Sequence, residues 1–169
     1  GERAGVWVES GDLDGDGFMD ILIGADQFPA APGGEDNRTR SGKVYIIYGR
    51  DLFPPVMDLA TETVGVSIIL GRDSGDHLGS TLHARDLDGD GQDELIASAA
   101  LGRLSAALPA GSPVVAVGIG AGNGPANSRL NCGETYIFYS DGVNGSRFPP
   151  LVDLGSPLEP QLADRVTTI

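Results

Sequence analysis

Asp12-Leu13-Asp14-Gly15-Asp16-Gly17-Phe18-Met19-Asp20 packs four carboxylates and two glycines into one short stretch. Asp86-Leu87-Asp88-Gly89-Asp90-Gly91-Gln92-Asp93-Glu94 restates it 74 positions later. In each copy acids stand at the first, third, fifth and ninth places, with glycine at the fourth and sixth. Such crowding is repulsive unless a cation sits among the carboxylates. Hard divalent ions take oxygen ligands, and calcium accepts many of them in loose geometry. Glycine lets the backbone adopt positive φ and wrap a point. Both stretches therefore read as calcium loops, one ion each.

Outward from the first loop the chain reads as strands. Val6 to Ser10 alternates apolar and other side chains, the period of a strand with one buried face. Ile21-Leu22-Ile23, closed by Gly24, is a short branched run expected to be buried on both faces. Asp26 to Ser41 is a polar loop with Pro and Gly. Val44 to Tyr48 is a third strand, and Val66 to Leu70 a fourth, joined by a connection containing Phe53-Pro54-Pro55.

The pattern then recurs. Leu78 to Ala84 stands where Ala4 to Ser10 stood, and Leu95-Ile96-Ala97 where Ile21-Leu22-Ile23 stood. Gly133 to Tyr139 answers Gly42 to Tyr48, Phe148 to Leu154 answers Phe53 to Leu59, and Val166 to Ile169 starts a last strand. The third strands lie 91 apart against 74 for the loops, so the second unit carries 17 extra residues, an insertion within 101–131. The units divide as 1–71, with its loop at 12–20, and 72–169, with its loop at 86–94. Gly or Pro interrupts every longer segment before a helical period develops, so no helix is expected.

Length and composition suit one ordinary domain or part of a larger one: 169 residues, 40% hydrophobic and 21% charged. Glycine, at 26 residues, is about twice its usual share, which favours turns and strands. The net charge is −13, and two calcium ions would bring it to −9. The remaining acidity argues against nucleic acid or an anionic membrane as partner. Residues 104–128 carry no charge, but Pro109, Pro113 and several glycines break the run, so no membrane insertion is expected. Cys132 is the only cysteine, which excludes an internal disulfide. Weak calcium sites suit the outside of cells, where the ion is plentiful, so the expected location is extracellular or the cell surface. The start at Gly1 without a signal peptide reads as a processed or excised segment. Asn37-Arg38-Thr39 and Asn144-Gly145-Ser146 are glycosylation sequons in turn-like contexts.

Rival motifs fail on spacing. An EF-hand needs Glu at the twelfth loop position between helices, and that position is Ile23 or Ala97, inside strands. The glycines of Val114 to Gly124 miss the dinucleotide-binding spacing, and Pro125 stands where a helix should begin. That insertion is uncharged and apolar, suited to contact a partner or a neighbouring blade. His77 and His83 have no Ser or Cys nucleophile at a recognisable spacing. Trp7, Tyr45, Tyr48, Tyr136 and Tyr139 sit in strands, as packing aromatics do.

The order of strand, Asp-x-Asp-Gly-Asp-Gly-x-x-Asp loop, apolar strand ending near Gly24-Ala25, then Gly42-Lys-Val-Tyr-Ile-Ile-Tyr48-Gly49, resembles the FG-GAP repeat of integrin α-subunit β-propellers. The resemblance covers essentially the whole chain as two repeats. It implies an all-β fold of two four-stranded antiparallel blades belonging to a larger propeller or assembly, with the loop joining the first two strands of each blade. It also implies calcium ligands: Asp12, Asp14, Asp16 and Asp20 with the carbonyl of Phe18, and Asp86, Asp88, Asp90 and Glu94 with the carbonyl of Gln92. Two positions depart from the family pattern. Its Phe-Gly pair is Ala4-Gly5 and Leu78-Gly79, and its Gly-Ala-Pro triplet is Gly24-Ala25-Asp26 and Ser98-Ala99-Ala100.

The resemblance implies a non-enzymatic chain acting in adhesion or protein–protein recognition, with calcium in a structural role. Two alternatives stand beside it. One is a structural subunit that self-assembles as a ring or filament through its open blade edges. The other is a propeller fragment of a secreted enzyme. Two blades leave a flank open on each side, so the expected partners are a protein, further propeller blades or copies of the chain, and a stable monomer is not expected.

Overall fold

The structure, a computed structural model, describes residues 3–26, 38–62, 64–99, 133–158 and 160–169. Strands β1 (Ala4–Gly11), β2 (Asp20–Ala25), β3 (Lys43–Ile47) and β4 (Val66–Leu70) form one antiparallel meander. Strands β5 (Leu78–Arg85), β6 (Glu94–Ala99), β7 (Glu134–Phe138) and β9 (Val166–Thr168) form a second. The expected two-blade, all-β architecture is what the chain adopts. Among the described residues no helix is long and apolar enough to cross a membrane. The expected insertion and the Asn37 sequon lie outside the described residues.

The meanders pack face to face. Leu22, Val44 and Ile69 of the first sheet share a buried cluster with Leu95, Tyr136 and Phe138 of the second. Alternation along β2 and β3 sends the other side chains to the opposite face. There Tyr45, Ile47 and Val66 form a separate, smaller cluster capped by Phe53, Met57 and Leu59. Of the aromatics, Tyr45, Tyr48 and Tyr136 are buried, whereas Trp7 is exposed, edge-on to His83.

Two features depart from the sequence reading. Phe148 to Leu154 is more than a connection: Leu151–Asp153 forms β8, which joins the first sheet as a fifth strand, parallel to β4. Its backbone is tied in at both ends, with Ile68 N donating to the Pro150 carbonyl (3.0 Å) and Leu154 N to that of Leu70 (3.1 Å). The chain also makes one helical turn, α1 (Pro160–Ala163), opened by a proline that needs no amide partner there. The turn places Leu162 in the inter-blade core.

The first strand of each blade is interrupted at the same place. The pairing register slips between Ala4 and Trp7 in β1, and between Leu78 and Thr81 in β5. A glycine with positive φ sits in each slip, Gly5 at 88° and Gly79 at 87°. The two glycines do different work. A Cβ on Gly5 would meet nothing within 4 Å, whereas one on Gly79 would stand 2.6 Å from the Lys43 carbonyl and 3.0 Å from the Gly24 Cα. Gly79 is where the second blade's backbone touches the first. Gly5→Ala should cost about 1 kcal/mol, the penalty of positive φ alone. Gly79→Ala should cost at least about 2 kcal/mol, since backbone must also move. Denaturant melts of the two variants check the difference; equal losses would show that blade contact at Gly79 is immaterial.

Candidate metal centre

Each acidic loop closes the β1–β2 or β5–β6 hairpin, and each folds through the same side-chain-to-backbone bonds. In the first loop, Asp12 Oδ2 accepts from Gly17 N (3.0 Å), Asp14 Oδ1 from Asp16 N (3.3 Å) and Asp16 Oδ1 from Phe18 N (2.8 Å). In the second, Asp86 Oδ2 accepts from Gly91 N (3.1 Å), Asp88 Oδ1 from Asp90 N (3.1 Å) and Asp90 Oδ1 from Gln92 N (2.8 Å). These are the local bonds by which short acidic side chains shape turns.

The ninth residue has a separate task. Asp20 Oδ2 accepts from Leu13 N (2.9 Å) and its Oδ1 from Gly49 N (2.8 Å), beyond the end of β3. Glu94 does the same, accepting from Leu87 N (2.7 Å) and from Ser140 N (3.4 Å), beyond the end of β7. Both are fully buried. Each pins the loop to the next strand of its own sheet. Burial pushes the Asp20 carboxyl up to about 7, with Asp14 and Asp12 adding repulsion and the two amides pulling the other way.

The expected ligands are gathered unequally. One carboxylate oxygen each of Asp12, Asp14 and Asp16 lie within 4.8 Å of one another, as do those of Asp86, Asp88 and Glu94. Asp20 and Asp90 fall outside these two groups. Phe18 is exposed at the loop tip, and Gln92 is buried with its Oε1 unpartnered. Asp12 Oδ1 is likewise buried without a hydrogen-bond partner. Asp12 thus carries a buried, unpaired oxygen and belongs to a group of three carboxylates, a setting that suits a bound cation better than isolation.

The surroundings of the two loops differ, and the sequence reading did not foresee this. The first loop is packed against the second blade. Asp93 Oδ2 accepts from Asp12 N (3.0 Å), and Asp93 N donates to the Asp12 carbonyl (2.8 Å). Arg147 reaches Asp14 with Nε at 2.7 Å and Asp16 with Nη2 at 3.5 Å. Its guanidinium also lies 4.5 Å over the Tyr48 ring. Asp14 is fully buried as a result, while Asp86, Asp88 and Asp90 are all exposed. Of these three exposed acids, Asp90 accepts at Oδ2 from Ser140 Oγ (3.0 Å). The repeat held one clue: Asp93 and Arg147 stand where the first unit has Met19 and Leu52.

Asp20→Ala would leave the buried amides of Leu13 and Gly49 without acceptors. It should destabilise the chain by about 1–3 kcal/mol for each orphaned amide, even in a chelating buffer. A chemical melt in excess EDTA checks this, and a loss seen only with calcium present would show that Asp20 acts through a metal alone.

Comparison with known proteins places this geometry in a family. The FG-GAP repeat matches residues 4–47, which span β1, the first loop, β2 and β3. Phosphatidylinositol-glycan-specific phospholipase D of Bos taurus is 31% identical over 165 residues, covering 94% of this chain and 19% of the relative. The enzyme of the same name from Homo sapiens is 30% identical over the same span, and that of Rattus norvegicus 32% over 136 residues, 79% of this chain and 16% of the relative. This chain thus spans about a fifth of the length of the curated relatives it matches. The expectation of a non-enzymatic chain is overturned, because the proteins that match it nearly from end to end carry the name of an enzyme. Residues 4–47 match the FG-GAP repeat, and the described residues form an all-β fold of two sheets consistent with FG-GAP propeller blades.

Proposed function

We propose that the chain is the propeller portion of a phospholipase D acting on phosphatidylinositol-glycan outside the cell, with each acidic loop holding one structural calcium ion. The observation that carries the enzyme reading is the alignment of 94% of the chain with phosphatidylinositol-glycan-specific phospholipase D. Adhesion and protein recognition rest on the family resemblance, without a comparable alignment behind them. The extracellular setting rests on the supply of calcium there, which suits open, exposed sites of modest affinity.

In this reading Asp12, Asp14 and Asp16, with Asp20 and the Phe18 carbonyl, hold the first ion. Asp86, Asp88, Asp90, Glu94 and the Gln92 carbonyl hold the second. The unpartnered Asp12 Oδ1 and the mutual approach of three carboxylates in each loop support it. The ion would offset the mutual repulsion of the crowded loop carboxylates and so favour closure of each hairpin. The blades divide at residues 71 and 72, one ion to each.

Binding of an ion to the folded chain alone stabilises it by mass action. Excess EDTA should lower the melting temperature by about 10 °C, the scale of a few kcal/mol for a chain this long. An unchanged melt would remove the structural role for calcium. Arg147 places a cation beside Asp14 and Asp16 and should weaken the first site relative to the second. Arg147→Ala is expected to tighten one of two calorimetric binding events several-fold and leave the other unchanged. The enzyme reading is tested on the full-length gene product, by release of phosphatidic acid from a phosphatidylinositol-glycan substrate; no release would count against it.

A further inference from the structure

We propose that Gln92 and Asp93 couple the two acidic loops, so that cation binding in the second raises the affinity of the first. The inference rests on the reading of both loops as calcium sites and adds to it the dependence of one site on the other.

The loops touch directly across the seam between the blades. Asp93 belongs to the second loop, between the Gln92 carbonyl and the Glu94 carboxylate that the calcium reading assigns to the second ion. Its amide and its carboxylate both turn to the first loop instead. Asp93 N donates to the Asp12 carbonyl (2.8 Å), and Asp93 Oδ2 accepts from Asp12 N (3.0 Å). Asp12 is the opening acid of the first loop. Two paired hydrogen bonds thus join a ligand of one site to the segment between two ligands of the other.

Gln92 makes the second tie. Its amide is held inside its own loop by Asp90 Oδ1 (2.8 Å), while its side chain lies on Gly15 of the first loop. A Cβ at Gly15 would stand 2.8 Å from Gln92 Cγ and 3.1 Å from its Cδ. One at Gly89, the matching glycine of the second loop, would meet nothing within 4 Å. Gln92 is 2% exposed, and its Oε1 accepts no hydrogen bond. Asp12 Oδ1 is buried and unpartnered in the loop that Gln92 covers. One blade supplies a buried amide oxygen and the other a buried carboxylate oxygen, both lacking a donor. Such a pair suits a cation, and calcium accepts amide oxygens beside carboxylates.

The sign of the coupling follows from ordering. Asp86, Asp88 and Asp90 are exposed, so residues 92–94 are held most firmly when a cation gathers those carboxylates. Gln92 and Asp93 are then already in place when the first loop closes, and that closure costs less conformational entropy. Arg147 opposes an ion in the first loop, since its Nε stands 2.7 Å from the Asp14 carboxylate. The second loop therefore fills before the first. By linkage the coupling is mutual in free energy. It is also particular to this pair of loops, because Met19, at the place of Asp93 in the first, has no carboxylate to offer.

Calorimetric calcium titrations of the full-length gene product test this. Asp88→Ala removes an exposed acid of the second loop. It should delete one binding event and weaken another by at least about fivefold, the lower end of ordinary coupling between sites. Asp93→Ala should weaken that same event, and adding Asp88→Ala should then weaken it no further, since the link is already cut. Asp93→Asn keeps an oxygen acceptor and the backbone bond, so Asp88→Ala should retain its full effect in that background. Should Asp93→Ala fail to fold, Gln92→Ala takes its place and should reduce the effect of Asp88→Ala. Loss of one event with every other at its wild-type affinity would overturn the coupling alone. Loss of no event would overturn the calcium reading of the second loop, and the coupling with it. An effect of Asp88→Ala that is the same with and without the two linking side chains would overturn the part given to Gln92 and Asp93.

Discussion

A propeller blade has two apolar faces, and in this chain one blade-to-blade contact has to organise everything else. The burial pattern shows how much depends on it. Leu95 and Ala97 of β6 are fully buried by the first blade, while Ile21 and Ile23, in the same places on β2, are only half-buried. Completely burying an aliphatic side chain stabilises by about 1.5–3 kcal/mol, so the covered face outweighs any single polar interaction in the chain. Gly24 and Gly79 let the backbones approach closely enough for that face to close, and β8 laps over the seam from the second unit to the first.

The acidic loops lie at one end of this contact and are shaped by it. Their internal bonds are local and nearly identical, because each carboxylate reaches an amide two to seven residues away. The difference between them comes from outside. The first loop is enclosed by Asp93 and Arg147 of the second blade, and its Asp14 carboxylate is buried against a guanidinium. The first three acids of the second loop face solvent. Identical motifs thus acquire different electrostatics from position alone: one carries a built-in counter-charge and a low-dielectric setting, the other is screened by water.

Asp20 and Glu94 join these two levels. As the last acid of its loop, each belongs to the acidic sequence pattern. As a buried acceptor for an amide past the next strand, each belongs to the sheet. A residue with both duties links loop closure to the pairing of β2 with β3, or of β6 with β7. The extra methylene of Glu94 leaves this double contact in place, although its bond to Ser140 is longer than that of Asp20 to Gly49.

What could be read from the chain itself was whatever repeats or alternates over short distances. The strand periods, the loop spacing and the 74-residue echo sufficed for two all-β blades and for the carboxylates at their turns, since side-chain alternation and Asp–amide bonds are decided by near neighbours. The length of the loops and the match of Phe53–Leu59 to Phe148–Leu154 were equally plain. Only the tertiary structure decided that Leu151–Asp153 is a strand, that Arg147 enters a loop 133 residues before it, and that Asp93 ties the two loops together. A parallel edge strand and an ion pair across a seam carry no local period. They exist because two sheets bury a common face, and that burial brings distant backbone and charge within reach of one another.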